Sequence, residues 1–149
     1  MWKYKGKEIN SHEDLYPECT DIVYHIKYES GKEYFGKKTV RAMRRLKPTK
    51  KQLAIRKNFV RKEIKESPFI NYKGSSKYCK DEVPISKEIL YQCADKRSST
   101  YLEAGLLFCN DVLFNDNYLN ENILGKFYTN VVDGVIKEKE DNEKSIDNV

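Results

Sequence analysis

Apolar and polar positions alternate from Ile22 to Tyr28, where Ile22, Tyr24, Ile26 and Tyr28 interleave with Val23, His25 and Lys27. A period of two is that of a half-buried β-strand. Ser30 and Gly31 follow as a turn, since glycine tolerates the positive φ that tight hairpins need. Tyr34 and Phe35 start a return strand. With a three-residue loop, Tyr24 and Tyr34 share parity and point to one face. Gly36 ends that strand, and a basic segment able to turn helical follows, with Arg41, Arg44 and Arg45. Upstream, Trp2 and Tyr4 alternate with Lys3 and Lys5 before a turn at Gly6-Lys7. This reads as a short hairpin laid against the main sheet, a structural flap rather than an aromatic and basic DNA contact. Asn10 to Thr20 is polar, holds Pro17, and reads as a linker.

Downstream the period lengthens. Lys47-Pro48 breaks a helix begun near Thr39. Thr49-Lys50-Lys51-Gln52 fits a capping box, and Leu53, Ile55, Phe59, Val60 and Ile64 form an apolar stripe on a helix that Ser67-Pro68 ends. Phe69 to Tyr72 is a candidate third strand, and Gly74-Ser75-Ser76 a turn. Ser86 is a plausible N-cap for a helix to Asp95, with Ile89, Leu90 and Cys93 inward. A last helix starts at Ser98 to Thr100. Leu102, Leu106, Cys109 and Leu113 face inward there, with Glu103 at the stripe's edge. Tyr118 to Ile123 is rich in hydrogen-bonding side chains. From Lys137 the chain is charged and reads as a frayed helix or disorder. The pattern predicts an α/β (α+β) domain, a small, mostly antiparallel three-stranded sheet flanked by helices. It divides into an extension at 1–20, a main domain at 21–125 and a charged tail at 126–149.

Composition and charge change the picture in two ways. The 149 residues suit one domain, and no apolar run reaches membrane-span length, which points to a soluble protein of the cytoplasm with no membrane partner. The four cysteines lack zinc-site spacing and read as reduced, mostly buried thiols. The net charge of +5 hides an asymmetry: Lys37 to Lys65 holds 13 basic residues against the single acid Glu63. Such a stripe is an electrostatic footprint for phosphates, with a solvated helix face as the bland alternative. Lys37, Lys38, Arg41, Arg45, Lys50, Lys51, Arg56 and Lys57 are the candidate DNA contacts, and the Ser75 and Ser76 hydroxyls add a candidate phosphate-holding turn.

Ile22-Val23-Tyr24, Tyr34-Phe35-Gly36-Lys37-Lys38, Tyr72-Lys73-Gly74-Ser75-Ser76, Tyr101-Leu102-Glu103-Ala104 and Tyr118-Leu119-Asn120 occur in this order. Together they resemble the GIY-YIG nuclease superfamily, and in particular its small phage-encoded members. The resemblance places the family's helical arginine at Arg44, ten positions after Tyr34. It implies a metal-dependent DNA endonuclease with Tyr24, Tyr34, Arg44, Glu103 and Asn120 as catalytic residues. Glu103 would hold one Mg²⁺ or Mn²⁺ per site, and the protein would act in the host cytoplasm as a monomer or homodimer. Each role has a structural counterpart. The tyrosines also suit cross-strand packing. Thr100-Tyr101-Leu102-Glu103 also fits a capping box, and Arg41 or Arg45 replaces Arg44 if the register shifts. Asn122 competes with Asn120. Ile22 replaces a family glycine, and Pro48 stands where many members have histidine. A catalytically weak nucleic-acid binder, or a basic interaction module for an acidic host protein, are the rival readings. The nuclease reading requires two phenols, a guanidinium and a carboxylate to converge in space.

Overall fold

A computed structural model describes residues 1–138; residues 139–149, most of the tail expected to fray, lie outside them. The chain runs β1 (Trp2–Tyr4), β2 (Lys7–Ile9), β3 (Asp21–Tyr28), β4 (Glu33–Thr39), β5 (Arg41–Leu46), α1 (Lys50–Ile55), β6 (Arg61–Glu66), β7 (Pro84–Cys93) and α2 (Lys96–Cys109). Five strands form one sheet in the order β2-β1-β7-β3-β4, while β5 and β6 form a separate two-stranded ribbon. The main sheet is mixed, because β1 lies parallel to β7 and the other pairs are antiparallel. It is therefore larger than the three strands predicted.

The two hairpins form as the pattern predicts. Lys5 and Gly6 both take positive φ (48° and 83°), the geometry of a type I′ turn between β1 and β2. Between β3 and β4 the loop is Glu29-Ser30-Gly31, closed by Tyr28 N–H donating to Lys32 O at 3.0 Å. The register pairs Tyr24 with Gly36 and Ile26 with Tyr34, so Tyr24 and Tyr34 share a face.

The strand β7 is the largest departure. A helix was expected from Ser86 to Asp95, yet this stretch pairs with β3 on one side and β1 on the other. The register against β3 slips between Val23 and Tyr24, leaving Leu90 as an extra residue. That bulge breaks the alternation and makes Ile89, Leu90 and Cys93 imitate a helical stripe. Lys87 hides the pattern further, because this buried residue sits where an apolar one would be read. Its ammonium donates to Ile70 O (2.6 Å) and Tyr72 O (2.9 Å) and lies over the Trp2 ring. Burial pulls its pKa below the ordinary lysine value. Phe69 to Tyr72 is accordingly a loop and not a third strand. Its carbonyls serve side chains, Phe69 O accepting from Trp2 Nε1 at 2.9 Å.

Two further helices shrink or vanish. Thr49 and Gln52 form the expected capping box, but α1 stops at Ile55. The rest of the expected stripe meets no surface to pack on. Residues Arg61–Glu66 pair instead with Arg41–Leu46, the segment where a helix bearing Arg44 was expected.

The sheet's two faces are covered differently. On the Tyr24 face, Trp2, Ile22, Tyr24, Ile26, Tyr28, Phe69 and Ile89 form the main core. Each such large side chain contributes about 1.5–3 kcal/mol on burial. The opposite face carries Phe35, which stacks on His25 at 4.4 Å, and is covered by α2 through Leu107. Cys19, Cys79 and Cys93 are buried free thiols, and Cys109 is exposed.

Candidate active site

The edge strand β4 organises a cleft. Its outer side would leave unpaired backbone groups, and the segment leading to Asn120 covers them. Glu33 N–H donates to Asn117 O at 2.7 Å, and Leu119 N–H donates to Glu33 O at 2.9 Å. Asn120 continues the ladder with its side chain. Phe35 N–H donates to Asn120 Oδ1 at 3.2 Å, and Asn120 Nδ2 donates to Phe35 O at 2.7 Å. The reciprocal amide pair fixes the strand that carries Tyr34 and Lys37.

A cavity of about 280 Å³ opens beside this edge, walled by Tyr34, Phe35 and Lys37 of β4 and by Glu103 and Leu107 of α2. Ser75, Ser76 and Asn120 to Asn122 close it. Glu103 faces the sheet because of the helix's phase. Ser99 and Leu107, four residues to either side, are both fully buried. The fully buried line is thus Ser99 and Leu107 with Glu103 between them; of the expected stripe, Leu106 and Leu113 pack against the Phe35 and Leu107 cluster, while Cys109 is exposed. The helix is capped by Asp95, whose Oδ1 accepts from Ser98 N–H at 2.7 Å, so Glu103 stands well inside α2 and caps nothing. Among the described residues its carboxylate has no ion-pair partner. Burial raises its pKa above the ordinary carboxylate value, and the Lys37 ammonium pulls the other way. Lys37 itself donates to Thr100 Oγ1 across the cleft.

Tyr34 brings a phenol to the same cleft. Its hydroxyl lies 2.6 Å from Ser75 Oγ. Burial pushes its pKa up to about 12, with the Ser75 hydrogen bond opposing that rise. At neutral pH it is a neutral hydroxyl able to donate. Ser76 Oγ donates to Glu121 Oε1 at 3.1 Å, which places a second carboxylate in the lining. Glu121 received no role from the sequence; its signal was the polar run Tyr118 to Ile123. Asn122 instead accepts from Gly125 N–H at 2.8 Å and shapes the following turn.

The remaining expected residues lie elsewhere. Tyr24 is fully buried against Tyr34 and does not line the cleft, and among the described residues its hydroxyl makes no hydrogen bond. Burial, then the neighbouring Tyr34 and Tyr72 phenols, hold its pKa well above the ordinary tyrosine value. The Tyr24 ring covers Gly36 so closely that a Cβ there would sit 2.5 Å from the Tyr24 oxygen. Arg44 is exposed on β5, opposite Glu63 in the ribbon and outside the cleft lining. The expected convergence of four groups is therefore replaced by that of Tyr34, Lys37, Glu103 and Asn120. Arg41 is tied to the protein's own backbone, donating to His12 O (2.6 Å), Tyr16 O (2.8 Å) and Cys19 O (3.0 Å). Lys38 lies over the Tyr72 ring at 4.9 Å. Arg45, Lys50, Lys51, Arg56 and Lys57 are exposed along the ribbon and its tip.

The donor set of the cleft suits a hard divalent cation. Glu103 offers a carboxylate with no ion-pair partner among the described residues, and Glu121, held by Ser76, a second carboxylate. No group of three or more His, Cys, Asp or Glu side chains forms a cage among the described residues. An ion held by one or two carboxylates completes its shell with water and phosphate oxygens, which is ordinary for Mg²⁺.

A family model described as "Putative endonuclease segE, GIY-YIG domain" matches residues 2–123. Neither a curated protein nor a solved structure matches the chain. The match spans the whole main sheet, the ribbon, α2 and the cleft between them, and the chain belongs to the GIY-YIG endonuclease-domain family.

Proposed function

We propose that the chain is a divalent-metal-dependent DNA endonuclease, and that it hydrolyses phosphodiester bonds in the cleft between β4 and α2. The observation that carries this reading is Glu103, a half-buried, unpaired carboxylate facing a phenol, a serine pair and an ammonium group in one cavity. Glu103, with Glu121 lining the same cavity, would hold Mg²⁺ or Mn²⁺. A bound ion of this kind supplies Lewis acidity, neutralising phosphate charge and making water more acidic.

The other groups act on the substrate directly. Tyr34 stays protonated and donates a hydrogen bond to the phosphate or the attacking water, with Ser75 holding its hydroxyl in place. Lys37 neutralises charge developing on the phosphoryl oxygens. Asn120 is a positioning residue, because it fixes the backbone between Tyr34 and Lys37. The resemblance to small phage-encoded relatives extends the reading to a phage protein acting in the host. No helix among the described residues is long and apolar enough to cross a membrane.

Nicking of supercoiled plasmid with and without Mg²⁺ tests the reading. Glu103→Gln should lower the rate by about 100-fold or more, the loss typical of removing one charge-stabilising group. Mg²⁺-dependent nicking that survives Glu103→Gln unchanged would place the chemistry elsewhere. The burial of Tyr24 and the exposure of Arg44 favour one second reading, a DNA-binding protein that keeps the fold with little catalysis. Salt-sensitive duplex binding without nicking in either metal would select it.

A further inference from the structure

We propose that the β5–β6 ribbon is an arm that lies in a groove of duplex DNA, gripping the substrate away from the cleft. This deepens the nuclease reading, because it assigns a second contact to the same substrate. The segment Arg41–Glu66 holds eleven basic residues against Glu63 and Glu66. Every residue of β6 is exposed, and so are the four central residues of β5. A two-stranded ribbon of this kind is marginal alone and gains stability from a surface to lie on. A DNA major groove is wide enough to admit one.

The arm's root is built to hold it in place. Val40 is fully buried, and Ser67 N–H donates to Val40 O at 2.9 Å. The His12 ring nitrogen Nε2 lies within hydrogen-bond reach of both Val40 O (3.0 Å) and Ser67 O (2.8 Å). Arg41 clamps the first strand to the carbonyls of His12, Tyr16 and Cys19. Beyond this root the main sheet gives no support. Six residues of strand at about 3.3 Å each project roughly 20 Å, enough to follow a groove.

The register supplies the contact face. Arg45 stands directly opposite Lys62, and Met43 opposite Ile64, two residues nearer the root on the same side. Like charges directly opposite one another destabilise a ribbon, and a line of phosphates reverses that sign. Met43 and Ile64 are each 63% exposed, an apolar pair beside two cations. Apolar side chains beside Arg and Lys suit the major groove, where thymine methyl groups and base-edge acceptors lie together. Arg44, Arg61 and Lys65 on the opposite side, and Lys50, Lys51, Arg56 and Lys57 at the tip, extend the positive surface to the groove's walls.

The test compares the full chain with Arg45→Gln/Lys62→Gln and with Met43→Ser/Ile64→Ser. Binding to a fluorescent 30-base-pair duplex is read by anisotropy across salt concentration, in EDTA so that nothing is cut. Losing two phosphate contacts should lower affinity roughly tenfold to thirtyfold near 0.15 M salt and flatten the log–log salt slope by about 2. The Met43/Ile64 variant should bind more weakly with the slope unchanged. Fluorescence of the buried Trp2 confirms that the main core is intact in each variant. Unchanged affinity and slope for the charge variant overturns the proposal. So does tighter binding of single strands than of duplex, or displacement of the duplex by polyglutamate at equal charge, which would mark a surface for an acidic protein. The two readings fail separately. Weaker duplex binding by the charge variant, in a protein whose unaltered chain never nicks, leaves the arm standing and removes the nuclease. Glu103-dependent nicking with a charge variant that binds like the unaltered chain does the reverse.

Discussion

Replacing Tyr24 by Phe deletes one oxygen, and that oxygen separates two accounts of the residue. The family resemblance makes Tyr24 a catalytic phenol, whereas the structure buries it completely and, although the Tyr72 phenol stands near, gives its hydroxyl no formed hydrogen bond among the described residues. A buried, unsatisfied hydroxyl costs about 1–3 kcal/mol, so its removal should stabilise the fold by roughly 1 kcal/mol once some lost packing is allowed for. The ring itself cannot relax away. Trp2 stands edge-on at 5.3 Å, Tyr72 at 5.8 Å and Tyr34 at 6.2 Å. The same confinement makes Gly36→Ala severe. Its Cβ would lie 2.5 Å from the Tyr24 oxygen, 2.7 Å from Cζ and 2.9 Å from Tyr34 Cε1. Overpacking of this kind costs about 1–3 kcal/mol. Tyr24→Phe should recover part of that loss, since it removes the shortest of the three contacts. Urea unfolding followed by Trp2 fluorescence gives all three values, and plasmid nicking by Tyr24→Phe gives the functional one. A Tyr24→Phe variant that is less stable by more than about 1 kcal/mol would show that the hydroxyl has a partner, and would refute the reasoning. Nicking that survives in Tyr24→Phe but falls in Tyr34→Phe would assign the cleft phenol to Tyr34.

Four other outcomes follow from the cleft and the arm's root. Because burial raises the Glu103 pKa, the folded state holds that proton to higher pH than the unfolded chain does. Stability is therefore lost as pH rises through the carboxylate range, and Glu103→Gln should melt higher than the unaltered chain at pH 7, with the gap closing below about pH 4.5. Mg²⁺ should raise the melting temperature of the unaltered chain and leave that of Glu103→Gln unmoved in thermal scans. Asn120→Asp should cost roughly 1–3 kcal/mol in urea unfolding, because Phe35 O loses its donor, and it should lower nicking through displacement of β4. Arg41→Gln should lose stability by roughly 1.5–3 kcal/mol while Arg45→Gln loses almost none, separating the root's clamp from the arm's free cations.

The hairpins and the Thr49 cap were legible because they depend on neighbours a few residues away. Tyr24 and Tyr34 could be placed on one face from parity alone, since a three-residue loop fixes the register. The central strand was not legible. A bulge at Leu90 and a buried lysine at position 87 erased its period, and its partners β1 and β3 are more than fifty residues away in the chain. Arg44 was assigned to a helix because a basic run after Gly36 carries no alternation; pairing with Arg61–Glu66 decided otherwise.

The sequence by itself determined the chemical inventory: the family motifs in order, the basic stripe, and the carboxylate at position 103. Only the tertiary structure decided which of them meet. Local patterns fix a side chain's direction relative to its own strand or helix, and so they gave Tyr24 a face without saying what lies against it. Strand order and the phase of α2 set Glu103 beside Tyr34 and Lys37, and leave Tyr24 buried against Tyr34, outside the cleft lining.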